Sequence, residues 1–234
     1  MSSENDQYRI KYLKYKNKYN TLKSKLNQHG SSIDGDYINK LKELYPTCQF
    51  DKQNNHDTYS NYAIVYGEMT YKGINQLNTI VNPNNDFKYF IDIGSGRLKL
   101  PIYMASNPNI IKSYGIELVT ERYNDGMQLL DKLKQNSNFN IYTSKITSIN
   151  DDLFNIDLRT LLPEKTFVWI SNLCFSENIN DKLFHKLTTE LKPESIICCS
   201  KQPSTDIPGL EFVRNIPIQM SWTENSDTYI YKVR

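Results

Sequence analysis

The chain has 234 residues, enough for one large domain that buries roughly 70% of the surface it exposes when unfolded. Charged residues make up 23% and apolar ones 38%, with 17 Tyr, 9 Phe and 2 Trp, a composition too aromatic for a disordered chain and too polar for a membrane one. The opening residues lack the apolar run of a secretory signal, no stretch approaches the roughly 18 apolar residues of a membrane span, and the four cysteines (Cys48, Cys174, Cys198, Cys199) form no C-x-x-C pair, so secretion, membrane residence, a disulfide framework and a metal site are not expected and an intracellular location fits.

The first 30 residues hold seven basic side chains (Arg9, Lys11, Lys14, Lys16, Lys18, Lys23, Lys25) against Glu4 and Asp6, a net of +5, so the remaining 204 residues carry −3 of the total +2. A basic arm on a mildly acidic body suits an anionic partner, nucleic acid or an acidic protein face; the plainer alternative is a solvated lysine-rich helix. Within the arm Tyr8, Tyr12, Tyr15, Tyr19, Leu22 and Leu26 follow a heptad spacing, which predicts a helix over residues 8–27. A break at His29-Gly30-Ser31-Ser32 separates it from a segment, 31–61, read as a helix and a polar linker packing on the body. Its helix is expected over Tyr37–Leu44, ended by Pro46, with a loop over Asp51–Asn61.

From residue 62 to 234 strands and helices alternate, which argues for a mostly parallel, doubly wound sheet covered on both faces. Strands are expected at Lys88–Ile93, Ser113–Glu117, Asn140–Ile146, Thr166–Ser171 and Ser195–Ser200, with helices starting at Leu100, over Thr120–Gln135 and over Ile179–Leu191. Glu211–Ile218 and Thr228–Val233 close the sheet as an antiparallel pair. Ligands of such sheets sit at the carboxyl ends of the strands.

At one of those ends stands Asp92-Ile93-Gly94-Ser95-Gly96, a strand-to-helix turn, and the next strand ends in Glu117. Glycines there let the backbone approach a ligand closely, and an acid at the next strand end can hold both hydroxyls of a ribose, so a nucleoside cofactor is expected. The third glycine of a dinucleotide fingerprint is absent, because Arg97-Leu98-Lys99 follows. A pyrophosphate needs that glycine-lined helix start and adenosylmethionine does not, which favours the methyl donor. Upstream, Thr70 in Tyr66-Gly67-Glu68-Met69-Thr70 reads most plainly as a helix N-cap. Trp222 and Tyr229, taken alone, read as sheet packing.

These segments together resemble a known family. Tyr66-Gly67-Glu68-x-Thr70, Asp92-x-Gly94-Ser95-Gly96, Tyr114-Gly115-Ile116-Glu117, Asn172-x-x-Phe175, Ser200-Lys201-x-Pro203 and Ser221-Trp222-Thr223 with Tyr229 occur in the order and approximate spacing of the disruptor-of-telomeric-silencing family, the non-SET histone H3 lysine methyltransferases. The resemblance spans about residues 44–234. The arm instead looks like N-terminal segments of giant-virus proteins of the mimivirus group, and the wealth of Asn, Lys and Ile fits an AT-rich genome.

The resemblance implies a class I, Rossmann-like α/β methyltransferase domain preceded by an α-helical segment, with S-adenosyl-L-methionine as cofactor. It assigns Tyr66, Glu68 and Thr70 to the loop over the methionine part, Asp92, Gly94 and Gly96 to the cofactor turn and Glu117 to the ribose. Asn172, at the reaction centre and the cofactor, and Phe175 follow the fourth strand, and Trp222 and Tyr229 line the channel for the target lysine. The implied partners are histone H3 within nucleosomes and, through the arm, nucleosomal DNA or the histone acidic patch, in a host nucleus, a viral factory or the virion. The chain departs from the family in three places. Leu98 and Lys99 replace a Gly and a Gln, Ser171 replaces an Asn, and the acid near the adenine aligns with Ser148 unless Asp151 or Asp152 substitutes. Two other readings stay open: a methyltransferase for a nucleic-acid amine, disfavoured by the lack of proline in Ser171–Phe175, and a catalytically weak cofactor-binding chromatin module.

Overall fold

The computed structural model describes residues 35–46 and 67–234. The expected arm helix, the Asp51–Asn61 loop and Tyr66 lie outside the described residues. Seven strands form one sheet in the order β3-β2-β1-β4-β5-β7-β6. The strands are β1 (Tyr89–Ile93), β2 (Lys112–Glu117), β3 (Ile146–Asn150), β4 (Thr166–Ile170), β5 (Ile196–Cys199), β6 (Leu210–Met220) and β7 (Thr223–Val233). β1 to β5 run parallel, and β7 enters antiparallel between β5 and β6, as expected of a C-terminal hairpin.

The apolar runs of the central strands exist because both faces of the sheet are covered. Successive side chains point to opposite faces, so Phe90, Phe167, Trp169 and Cys198 join one core and Ile91, Ile93, Val168, Ile170, Ile197 and Cys199 the other. On the first face pack helices α1 (Gly35–Leu44), α2 (Tyr71–Val81), α3 (Lys99–Ala105) and α4 (Thr120–Lys134), through Leu41, Ile74, Ile102 and Leu129 among others. On the second face Leu183, Phe184 and Leu187 of helix α7 (Glu177–Glu190) do so. Between α4 and α7 lie two single-turn helices, α5 (Asn140–Thr143) and α6 (Leu158–Leu161). Among the described residues no helix is long and apolar enough to cross a membrane.

One expected element is wrong. Asn140–Ile146 is not a strand: Ser137–Phe139 forms a 3-10 turn, α5 continues it, and β3 begins only at Ile146. The β-branched residues of this stretch favour a strand locally. Packing overrides them: Asn136 caps the turn, and the Tyr37 ring meets Phe139 and Tyr142 at centroid distances of 5.2 and 4.6 Å.

Helix α1, which precedes the body in sequence, grips the first turn of α3. Tyr37 donates its hydroxyl hydrogen to the Ile102 carbonyl at 3.1 Å, and Tyr45 donates to the Arg97 carbonyl while the Arg97 guanidinium lies 5.6 Å from the Tyr45 ring centre. The segment that follows the glycine turn is thereby held in place.

Candidate active site

The turn after β1 is bound to the end of β2. Gly94 and Ser95 both donate their backbone N–H to the Ile116 carbonyl, at 2.9 and 3.0 Å. Gly94 has φ +78 and Gly96 φ +54, left-handed values that glycine adopts without strain. Glu117, 4% exposed, accepts from Gly96 N–H at 2.6 Å and Val119 N–H at 2.8 Å. Burial pushes its carboxyl up, and those two N–H groups and Arg122 pull it back. These hydrogen bonds still leave the carboxylate with acceptor capacity for a ligand.

Asp92 is the counterpart one strand over. Its carboxyl is pushed well above the usual carboxylate range by burial and by the neighbouring Glu117, and its Oδ1 has no hydrogen-bond partner among the described residues. The Ser95 hydroxyl is likewise buried without one. Buried polar atoms in native proteins nearly always have partners, so these two atoms beside a glycine turn are available to a ligand.

Leu98 departs from the family's glycine without straightening the turn. It keeps a left-handed φ of +65 and is wholly buried. Two glycines give it room: a Cβ on Gly115 would lie 2.4 Å from Leu98 Cδ2, and one on Gly126 would lie 3.0 Å from Leu98 Cγ. The bulk that sequence reasoning flagged as displacing the helix start is thus absorbed by β2 and α4.

The loop before α2 is stitched to the β6–β7 hairpin. Ser221 N–H donates to the Glu68 carbonyl at 2.8 Å, Glu68 N–H donates to Ser221 Oγ at 3.1 Å, and Met69 bridges Met220. A Cβ on Gly67 would stand 2.3 Å from Trp222 Cζ3, so glycine is required for the close approach of that ring. Thr70 serves as the N-cap of α2, accepting from Gly73 N–H at 3.1 Å, and its hydroxyl donates toward Gln219. The Glu68 side chain, 6% exposed, points inward and pairs with Lys99 at 3.2 Å; Lys99 Nζ also lies 4.7 Å from the Tyr71 ring centre. Sequence reasoning missed Lys99 as a buried group, since nothing in one sequence links it to an acid 31 positions earlier.

The turn after β4 is organised by Asn172, which is fully buried. Its Oδ1 accepts from Ser200 N–H at 3.0 Å and Lys201 N–H at 2.9 Å. Its Nδ2 donates to Asn180 Oδ1 at 2.5 Å and to the Lys201 carbonyl at 2.9 Å. All four hydrogen-bonding sites of the amide are engaged, so this side chain ties the ends of β4, β5 and α7 together. Lys201 Nζ in turn donates to the Phe175 carbonyl at 2.7 Å and fixes the turn that carries Phe175.

These pieces surround a cavity of 360 Å³, within the range of small-molecule sites, roughly 300–1,000 Å³. Gly94, Glu117, Leu118, Asp151, Asp152 and Phe154 are among the residues that line it. Ser171, Leu173, Phe175 and Trp222 line it as well. A smaller recess of 40 Å³, lined by Glu68, Asp92, Ser95 and Lys99, shares Gly67, Gly94 and Ser171 with it. The expected Phe175 and Trp222 therefore meet at one site with Glu117 and Gly94. Tyr229, opposite Cys199 on β7, is not among the residues lining either space. At the side of Leu118 the lining acids are Asp151 and Asp152 rather than Ser148, whose hydroxyl is buried on β3.

Residues 47–215 match the family model for the histone methylation protein DOT1. No curated protein matches the chain. Among solved structures, a mutant of MtNAS in complex with S-adenosylmethionine aligns over 90% of this chain and 75% of its own at 11% identity and a TM-score of 0.51. MtNAS in complex with MTA and tNA aligns over 85% and 69% at 13% identity and a TM-score of 0.51. A conserved hypothetical protein of Streptococcus pyogenes aligns over 68% and 94% at 11% identity and a TM-score of 0.50. At such identities the likeness is one of fold, and the fold is that of the class I methyltransferases. The family match covers well over half of the chain and, with the orphaned acid, the glycine turn and the ribose-type acid at the same strand ends, makes this protein a member of the DOT1 histone methylation family, a methyltransferase with S-adenosylmethionine as its cofactor.

Proposed function

We propose that the protein methylates the side-chain amine of a lysine in the globular core of histone H3, with nucleosomes as substrate. The observation that carries this reading is the shared cavity: the carboxylate and glycine turn suited to a nucleoside lie in the same mostly apolar space as Phe175 and Trp222. S-adenosylmethionine supplies an activated methyl group on a sulfonium when bound. The chain's residues have to hold it and orient an amine in line with that methyl group, a task of positioning that is worth several orders of magnitude in rate.

An amine attacks only when neutral, and a lysine has an ordinary pKa of ~10.4. Enclosure between Phe175 and Trp222 removes water from the ammonium, which disfavours the charged form and lowers that pKa. The proton leaves to solvent before attack. Neither Lys nor His lines the 360 Å³ cavity among the described residues, which suits a reaction whose nucleophile is prepared by desolvation rather than by a strong base. Asn172 holds this centre together from behind, through the backbone of Ser200 and Lys201, and Glu117 and Asp92 are the acids that would hold the cofactor.

The basic segment 1–30 is proposed to grip nucleosomal DNA, or the histone acidic patch, by salt-dependent contacts from Lys11, Lys14, Lys16 and Lys18. Such a substrate would place the activity in a host nucleus or a viral factory.

The test is transfer of labelled methyl groups to nucleosomes, free histones, DNA and RNA in parallel, with mass spectrometry of the product. Label on a histone H3 core lysine that is lost in Trp222→Ala supports the proposal. Label on nucleic acid alone would replace the acceptor, and cofactor binding without label on any of these substrates would favour a binding module.

A further inference from the structure

We infer that Tyr45 is a positioning residue for the methyl donor: from outside the cleft it holds the glycine turn in the shape that binds the cofactor. The inference rests on the methyltransferase reading above and adds a segment that the family match, which begins at residue 47, leaves out.

The turn is held from two sides. Gly96 N–H is fixed from β2 by the Glu117 carboxylate at 2.6 Å, and the carbonyl of the following residue, Arg97, receives the Tyr45 hydroxyl hydrogen from the end of α1. Helix α3 itself does not reach that carbonyl. It begins at Lys99 with Leu98 as its N-cap, and its first helical bond runs from Ile102 N–H to the Leu98 carbonyl at 3.0 Å, one residue beyond Arg97. Leu98 makes no side-chain cap bond, so the helix start is not fastened by its own cap residue either. The same segment reaches the loop on the other side of the recess. Tyr71, the first residue of α2, donates its hydroxyl hydrogen to the Leu41 carbonyl of α1 at 3.1 Å, and α2 follows directly on the loop of residues 67–70. Two chain segments that line the recess, the glycine turn and that loop, are therefore tied to the end of α1. Leu41 and Tyr45 are 0 and 1% exposed, and neither lines the cavity or the recess, so they act through the chain they hold. Burial pushes the Tyr45 hydroxyl well above its usual range, and it keeps the proton that it donates. A part-buried carbonyl that loses such a donor turns toward water, and Gly96, with φ +54, has the backbone freedom to follow. A turn that the ligand must first re-order binds it more weakly, because the cost of ordering is drawn from the binding energy.

The test uses the full chain and its calorimetric affinity for S-adenosylhomocysteine. Tyr45→Phe, which removes only the hydroxyl, is expected to weaken binding at least about fivefold. Tyr103→Phe is the matched control: it removes another buried hydroxyl, one that donates from α3 to Asn75 Oδ1 at 2.6 Å, and should change the affinity by less than about twofold. Replacing Tyr45 by 4-aminophenylalanine, which puts an N–H donor where the hydroxyl stood, should recover most of the loss. Equal effects of the two phenylalanine variants, no loss in Tyr45→Phe, or a loss that the amino group does not recover would overturn the assignment and leave Tyr45 as a packing residue. The wild-type protein gives a second reading that does not depend on the folding of any variant. Coupling is reciprocal, so saturating S-adenosylhomocysteine should slow hydrogen exchange of the Tyr45 amide, which bonds to the Leu41 carbonyl at 2.9 Å, by a larger factor than it slows the amides of α7 on the other face. Equal slowing of both would overturn the proposal. Failure of the wild-type protein to bind S-adenosylhomocysteine at all would instead remove the cofactor reading on which it rests.

Discussion

Restoring the family's glycine at position 98 should harm this protein. A comparison of patterns alone suggests that Leu98→Gly repairs a departure, and the backbone agrees in part, because φ is +65 there. A left-handed conformation costs a non-glycine residue roughly 1–2 kcal/mol, and glycine would relieve it. The side chain decides otherwise. Leu98 is 0% exposed and fills the space left by the absent Cβ atoms of Gly115 and Gly126. Truncating a buried leucine costs about 2.7–5 kcal/mol, and here both flanking walls are glycine backbone that cannot reach in to close the void. The balance is a loss of about 2.5 kcal/mol, which for a domain of this size lowers Tm by roughly 5–10 °C. Thermal unfolding of the ligand-free protein by circular dichroism measures it. A Tm equal to or above that of the wild type would refute the reasoning, and with it the claim that Leu98 is packed rather than merely tolerated.

Four further outcomes are expected. Asn172→Ala should destabilise the fold by about 2–4 kcal/mol in chemical denaturation, because it strands the N–H groups of Ser200 and Lys201 and removes the donor to Asn180 Oδ1 and the Lys201 carbonyl. A variant as stable as wild type would show that the amide is not the tie it is drawn as. Trp222→Ala should abolish most methyl transfer while leaving calorimetric affinity for S-adenosylhomocysteine within about fivefold, since the ring, which lines the cavity, is proposed to wall its acceptor side; parallel losses of both would contradict that division.

Affinity for S-adenosylmethionine should rise as pH climbs above the ordinary carboxylate range, over the span in which the raised carboxyl of Asp92 ionises. The raised carboxyl of Asp92 keeps its proton longer in the folded than in the unfolded state. Its contribution to stability is therefore greatest below the ordinary carboxylate pKa and is lost as pH climbs through the raised one, whereas a cationic ligand needs the ionised form. Affinity that is flat or falls over that range would count against Asp92 as the ligand's acid. Deleting residues 1–30 should weaken nucleosome binding and flatten its salt dependence with cofactor affinity intact, as read by gel shift at several ionic strengths; equal binding by the truncated chain would remove the arm from the interface.

The parallel sheet was legible because its strands carry two independent signals. Val168 and Ile170 face one core, Phe167 and Trp169 the other, and an unbroken apolar run bounded by turns follows from covering both faces. The meeting of Gly94, Gly96 and Glu117 was legible because they are local to two strand ends that must lie side by side. β3 was misplaced because Ile141, Tyr142, Thr143 and Ile146, β-branched or aromatic, favour a strand locally. The helical spacing of Phe139, Tyr142 and Thr143 behind the Asn136 cap was the competing signal, and it dominates once Tyr37 supplies a surface to pack on. Asn172 was read at the reaction centre, but its neighbour Asn180 and the carbonyl of Lys201 come from elements that only the folded sheet brings together. The Glu68–Lys99 pair was invisible for the same reason, since a lysine in a single sequence reads as solvent-exposed. Thr70 carried two readings, and the plainer one, a helix cap, is what the structure shows.

The most direct measurement is a crystal structure of the protein with S-adenosylhomocysteine. Ribose hydroxyls on Glu117, adenine in the 360 Å³ cavity beside Leu118 and Phe154, and the amino-acid head in the recess beside the glycine turn are the result expected. A protein crystallised with saturating ligand whose cleft holds none, or holds the adenine at the Asp92 end, would contradict the assignment of this cleft as the methyl-donor site.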